Sequence, residues 1–233
     1  MLDQAFEALK TYDWGQDPKV LRPIDEAIVA THGDAAKRKE LEDKLIAALG
    51  GKSTLDGKQM LCRYLMAIGT AASVPSLAAL LGDKELSHMA RYALERIPAP
   101  EAAAALRDGL SKLPSGLKVG VIASIGARQD NAAVATLGAL LGDGDAAVAS
   151  AAAHALGAIR SPESAQALSH TKAAPKAASA ATDASLACAE ALLASGKNAE
   201  ALAIYKGLVG GTPQKHIRLA ATRGMLACAG KKE

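Results

Sequence analysis

Leu77-Ala78-Ala79-Leu80-Leu81-Gly82-Asp83 returns later in the chain as Leu137-Gly138-Ala139-Leu140-Leu141-Gly142-Asp143. The offset of 60 residues suits two repeats of about 30 with one between, and Ala102 to Leu113 supplies the intervening unit. A second series predicts where the following helices end: Ala67-Ile68-Gly69, Arg96-Ile97-Pro98, Ser124-Ile125-Gly126 and Ala158-Ile159-Arg160. The unit is therefore helix, tight turn, helix, turn. Leu77, Leu80 and Leu81 form one apolar stripe at helical spacing, and Val148, Ala152, Ala155, Leu156 and Ile159 form another. A lone helix pair cannot bury such stripes, but stacked neighbours can.

Working outward, the helix starts have a physical reason. Ser73-Val74-Pro75, Ala99-Pro100-Glu101, Ser161-Pro162-Glu163 and Thr212-Pro213-Gln214 put Pro at or near a first helical turn. There its missing N–H is harmless and its fixed φ helps. Ser or Thr precedes three of the four as an expected N-cap. Gly82, Gly126, Gly142 and Gly196 are placed to end helices. Asp83 and Asp143 fall in the turns, where each can cap the next helix.

Composition agrees with an all-α fold. Of 233 residues, 54 are Ala and 30 are Leu, while only 3% are aromatic. Strands favour the β-branched and aromatic residues that are scarce here, and Ala and Leu head the helix scale. The net charge of +3 is too small, and the apolar half too large, for a disordered chain. No apolar stretch is long enough to span a membrane, and no signal peptide is visible. A soluble chain is expected, cytoplasmic or exported with its leader removed. Cys62, Cys188 and Cys228 are far apart and read as small buried hydrophobes rather than a disulfide or zinc framework.

The ends differ from the middle. Phe6, Tyr12 and Trp14 hold half of the aromatic residues, Asp17-Pro18 opens a helix to about Thr31, and another runs from Gly33-Asp34 to Leu49. Residues 1–52 are read as an N-terminal helical cap, 53–175 as the repeats and 176–233 as C-terminal hairpins, in one continuous domain. Gly116 and Gly120 weaken a helix around Lys118, which is either short or tightly packed against a neighbour. Ala173 to Ala180 is a loop or the opening of a long helix. The whole is expected to be a right-handed α-solenoid, or superhelix, of about 13 or 14 helices.

Residues 53–172 resemble HEAT repeats of the short type found in phycobilisome lyases. Ala78-Ala79-Leu80-Leu81-Gly82-Asp83 and Ala155-Leu156-Gly157-Ala158-Ile159-Arg160-Ser161-Pro162-Glu163-Ser164-Ala165-Gln166-Ala167-Leu168 carry that likeness. The whole chain is similar to HEAT-repeat proteins of planctomycete-type bacteria, most distinctively at Tyr12-Asp13-Trp14-Gly15-Gln16-Asp17 and His216 to Gly224. Leu186 to Tyr205, with Gly196 in its turn, resembles a tetratricopeptide hairpin. These resemblances imply a fold and a recognition role, not a reaction.

Catalytic signatures are missing from the sequence. None of His32, His88, His154, His170 and His216 is followed by Glu, so the His-Glu pairs used by iron-dependent HEAT-like hydroxylases are not present. No Gly-x-Ser-x-Gly elbow occurs. Gly51-Lys52-Ser53 resembles a phosphate-loop ending, but Ile46 stands where its first Gly is required. The basic run Lys37-Arg38-Lys39 is followed by Glu40, Glu42 and Asp43 and reads as a neutralised, solvated helix face. With no basic stripe, nucleic acid is not an expected partner.

The chain is accordingly expected not to be an enzyme and to need no cofactor or metal. The expected role is a monomeric protein-interaction scaffold. The second helices of successive repeats would line its binding face, with Arg63, Tyr64, His88, Arg91, Tyr92, Lys118, His154, Arg218 and Arg223 as contact residues. Arg63-Tyr64 and Arg91-Tyr92 recur as pairs, and Arg and Tyr are favoured at binding hot spots. Packing of each Tyr between repeats, with Arg paired to an Asp such as Asp83, is the competing structural explanation. A bilin-lyase-like enzyme or chaperone and a nucleic-acid-binding HEAT-like protein are the alternative functions.

Overall fold

The computed structural model describes residues 1–211 and 214–230. The fold is all-α, of the solenoid class, with 14 α-helices among the described residues. The chain divides into two compact units, Met1–Ser124 and Ile125–Glu233. No described helix is long and apolar enough to cross a membrane.

The first unit contains α1 (Leu2–Ala8), α2 (Arg22–Ala30), α3 (Ala35–Leu49), α4 (Leu55–Ile68), α5 (Val74–Ala78), α6 (Ser87–Arg96), α7 (Pro100–Lys112) and most of α8 (Ser115–Ala127). α4 packs on α6 and α5 on α7, so successive hairpins stack in two layers. Leu61, Leu65, Leu77, Leu94, Ile97 and Leu106 are fully buried within this unit. The N-terminal aromatics fasten the cap to α4. Tyr12 is buried, and Trp14 meets it edge-on while donating from Nε1 to Gln59 Oε1 at 3.3 Å.

The second unit contains α9 (Val134–Leu140), α10 (Ala146–Ile159), α11 (Pro162–His170), α12 (Ala178–Ala194), α13 (Asn198–Gly211) and α14 (Lys215–Cys228). Here α9 packs on α11, and α10 on α12, which also meets α14. Cys188, Leu192, Ala201, Tyr205, Ile217 and Ala221 share one buried cluster. Burial pushes the Cys62 thiol up to about 12 and the Cys188 thiol up to about 11.

The local signals act as physical chemistry requires. Ser161 caps α11 by accepting from the Ser164 N–H at 3.1 Å, and Pro100 opens α7. Ile68 and Ile159 end α4 and α10, and Ile97 caps α6. Asp83 accepts from the N–H groups of Glu85 and Leu86 at 2.8 and 3.0 Å, leading into α6. Gly196, at φ +78°, takes the left-handed turn after α12.

Several expectations are corrected. Thr70, not Ser73, caps the turn before α5, because the Ser73 hydroxyl donates instead to Glu42. Gly126 does not end α8 but lies inside it, where an added Cβ would fall 2.9 Å from Ala155 Cα of α10. Residues 175–177 form a short 3-10 turn that leads into α12. The start expected at Thr212-Pro213 lies outside the described residues, and Gln214 occupies the N-cap of α14.

Candidate functional site

α6 places His88, Arg91, Tyr92 and Glu95 at i, i+3, i+4 and i+7, which is one helical face. This face meets α8 at a point where the sequence removes a side chain. Gly120 has no Cβ; one built there would lie 2.6 Å from Arg91 Cζ. The guanidinium fills that space. Its Nη1 donates to Gly120 O at 2.9 Å and to Ser124 Oγ at 3.1 Å. The glycine that weakens α8 by propensity is what admits Arg91, so tight packing is the correct one of the two readings.

The fully buried Ser124 completes the joint by donating to Glu95 Oε1 at 2.6 Å. Burial lowers the pKa of the Arg91 guanidinium, and the nearby Glu95 carboxylate opposes that shift. Arg91 Nη2 also lies 3.2 Å from His88 Nδ1. A guanidinium can only donate, so Nδ1 accepts and the imidazole proton sits on Nε2. The His88 ring in turn meets Tyr92 edge-on, with centroids 4.4 Å apart. Tyr92 remains 43% exposed. The result is an aromatic side chain at the surface whose supports run back through His88 and Arg91 to the α8 backbone.

Three of the nine expected contact residues, His88, Arg91 and Tyr92, thus come together. Arg63 is exposed on α4, and Lys118 is half-buried on α8 outside the cluster's bonds. His154 is exposed on α10, Arg218 half-buried and Arg223 exposed on α14, all in the second unit. Tyr64 is corrected: it is only 4% exposed, its Oη finds no hydrogen-bond partner, and burial pushes its phenol pKa up. It packs against the interior and cannot offer its ring to a partner. Arg91 does not pair with Asp83, which instead accepts from backbone N–H groups.

Sequence reasoning missed Ser124. The available signal was its position among Val121, Ile122 and Ile125, a hydroxyl on an otherwise apolar helix face. The reading of Lys37 to Asp43 as a uniformly solvated face is also corrected. Lys39 does pair with Asp43 on the surface, but Arg38 and Glu42 turn toward residues 68–73. The 2% exposed Glu42 accepts from Thr70 N at 2.6 Å, from Thr70 Oγ1 and from Ser73 Oγ. Among the described residues, no three His, Cys, Asp or Glu side chains gather in a metal-holding group.

Residues 114–187 match the family model for HEAT repeats. The matched stretch runs from the start of α8 into α12, and the match is to HEAT repeats as a class rather than to a lyase-like subtype. No curated protein matches the chain. Among solved structures, human deoxyhypusine hydroxylase in complex with glycerol is similar at 17% identity and a TM-score of 0.41, covering 98% of this chain and 96% of that one. The expectation that this chain is not an enzyme is corrected here. Absent motifs exclude no activity, and the solved structure named above is a hydroxylase. The likeness transfers no site or activity.

Proposed function

We propose that the chain is a helical-repeat scaffold that binds a protein partner on the α6 face, with Tyr92 as its aromatic anchor. The observation that carries this reading is the combination of exposure and restraint at Tyr92. The residue is 43% exposed, yet its edge contact with His88 and the Arg91 bonds to α8 support one orientation. An ordered aromatic loses less conformational freedom when it is covered, which favours affinity. Arg63 is the natural second contact. Both residues lie five positions before a helix-ending Ile, Arg63 before Ile68 and Tyr92 before Ile97, so they hold equivalent places in adjacent repeats. Lys118 extends the surface along α8, and His154, Arg218 and Arg223 are the corresponding contact residues proposed for the second unit.

The test is affinity capture from the native source with the wild-type chain and with Tyr92→Ala. One stoichiometric partner is expected with the wild type. A hot-spot loss of about 2 kcal/mol predicts roughly thirtyfold weaker binding by the variant. Equal recovery with Tyr92→Ala, at unchanged thermal stability, would remove the α6 face from the function.

A further inference from the structure

We propose that a groove between the α2–α3 turn and the C-terminal end of α4 binds the free carboxyl terminus of a polypeptide ending in an aliphatic residue. The site lies away from the α6 cluster and does not depend on the role given to Tyr92. The groove holds about 560 Å3, and Ile28, Val29, His32, Arg38, Ala67 and Ile68 line it. That volume falls within the roughly 300–1,000 Å3 of small-ligand sites. Val29 is 75% exposed, so one wall is apolar surface presented to water.

The charge in the groove decides the ligand. Arg38 is half-buried, and its bonds go to neutral carbonyls: Nε to Ile68 O at 2.7 Å and Nη2 to Gly69 O at 3.3 Å. Those bonds hold the guanidinium in place and leave Nη1 without a hydrogen-bond partner among the described residues. The neighbouring carboxylates are engaged elsewhere. Glu42 accepts from Thr70 and Ser73. Asp34 caps α3 through the Lys37 N–H and pairs with Lys37 Nζ at 3.2 Å. Arg38 is therefore a positioned cation with no carboxylate of its own, set beside aliphatic walls.

A C-terminal aliphatic residue answers both features. Its carboxylate pairs with the open side of Arg38 through charge-assisted hydrogen bonds, with the exposed His32 as a second donor at the rim. Its side chain rests on Ile28, Val29, Ala67 and Ile68. The open mouth lets the preceding residues leave toward solvent. An amidated terminus or an internal residue supplies the apolar group without the charge.

The test is an NMR titration of the isotope-labelled full chain with three probes: N-acetyl-Ala-Ala-Leu, its C-terminal amide, and free 4-methylpentanoate. Saturable shifts confined to residues 28–38 and 67–69 are expected with the acid peptide. The amide and the free acid are each expected to bind at least tenfold more weakly. Val29→Asp, at a site exposed enough to leave the melting temperature unchanged, should abolish the acid peptide's shifts. Equal binding of acid and amide overturns the proposal, because the charge would then play no part. Free 4-methylpentanoate binding as tightly as the peptide overturns the peptide assignment in favour of a small-acid site. Undiminished binding to Val29→Asp, or no saturable shift at millimolar peptide, overturns the site itself.

Discussion

Both units use glycines where elements close on each other, as at Gly57, where an added Cβ would fall 2.2 Å from Leu9 O, but they differ in what fills the tightest helix joints. In the first, long polar side chains bridge from one helix to the next element: Arg38 and Glu42 from α3 to residues 68–73, and Arg91 and Glu95 from α6 to α8. In the second, the space left by glycine is taken by backbone or by an aromatic ring rather than by a charged group. An added Cβ at Gly126 would fall 2.9 Å from Ala155 Cα, and one at Gly157 would fall 2.9 Å from Ala184 Cα. Gly224 accommodates the Tyr205 ring in the same way, with a built Cβ only 2.3 Å from Cζ. A polar bridge is directional and leaves charge to be satisfied or offered to a ligand. Close backbone contact is undirected and offers no such handle. The Tyr92 anchor and the Arg38 groove both lie in the first unit, where charged side chains reach across the joints.

This comparison can be broken most forcefully at Glu42. Glu42→Ala removes a buried carboxylate and leaves the Thr70 N–H, the Thr70 hydroxyl and the Ser73 hydroxyl without their acceptor. The expected cost is about 4 kcal/mol, since bonds to charged groups and stranded donors each cost on the order of 1–3 kcal/mol. Denaturant unfolding measures the total, and hydrogen exchange should show lost protection at residues 65–74. A loss below about 1 kcal/mol would mean that water replaces the carboxylate and that Arg38 and apolar packing suffice to join α3 to α4. In the second unit the matching probe is Gly157→Ala. One methyl group must displace the α12 backbone at Ala184, and the expected net cost is about 2 kcal/mol even though Ala is the better helix former. Lost protection along residues 180–188 would locate the damage.

The difference between the units also explains what was legible in the sequence. Caps, proline starts and helix-ending isoleucines act within a few residues, so Ser161, Pro100 and Ile159 could be read directly. The abundance of Ala marked an all-α fold, but it did not reveal that Gly126 lies inside a helix rather than at its end. Polar bridges are less legible because one partner is often backbone, which has no signature. The carbonyls of Ile68 and Gly69 look like any others, so Lys37 to Asp43 read as a solvated face. The α6–α8 joint left a partial trace: Arg91 and Gly120 are 29 residues apart, one repeat period. A large side chain matched to a glycine one repeat away was the available clue, and Ser124 would have followed from it. Tyr64 misled because its Arg-Tyr pairing repeats that of Tyr92 while its position in the turn of the helix differs, placing one ring inside and the other outside.

The smallest expected effect is also the sharpest control, because it repeats the Gly157 substitution with the opposite sign. Gly207 sits in α13, exposed, and an added Cβ would meet nothing within 4 Å. Its backbone is already helical, so Ala needs no rearrangement there and reduces the freedom of the unfolded chain. Gly207→Ala should therefore stabilise the protein by about 0.5–1 kcal/mol, which for a chain of this size raises the melting temperature by roughly 2–3 °C. The two alanines share one change in propensity, so the difference between their effects isolates the close contact of α10 with α12. Were both to destabilise equally, glycine would be needed in this unit for flexibility rather than space, and the contrast drawn between the two units would fail.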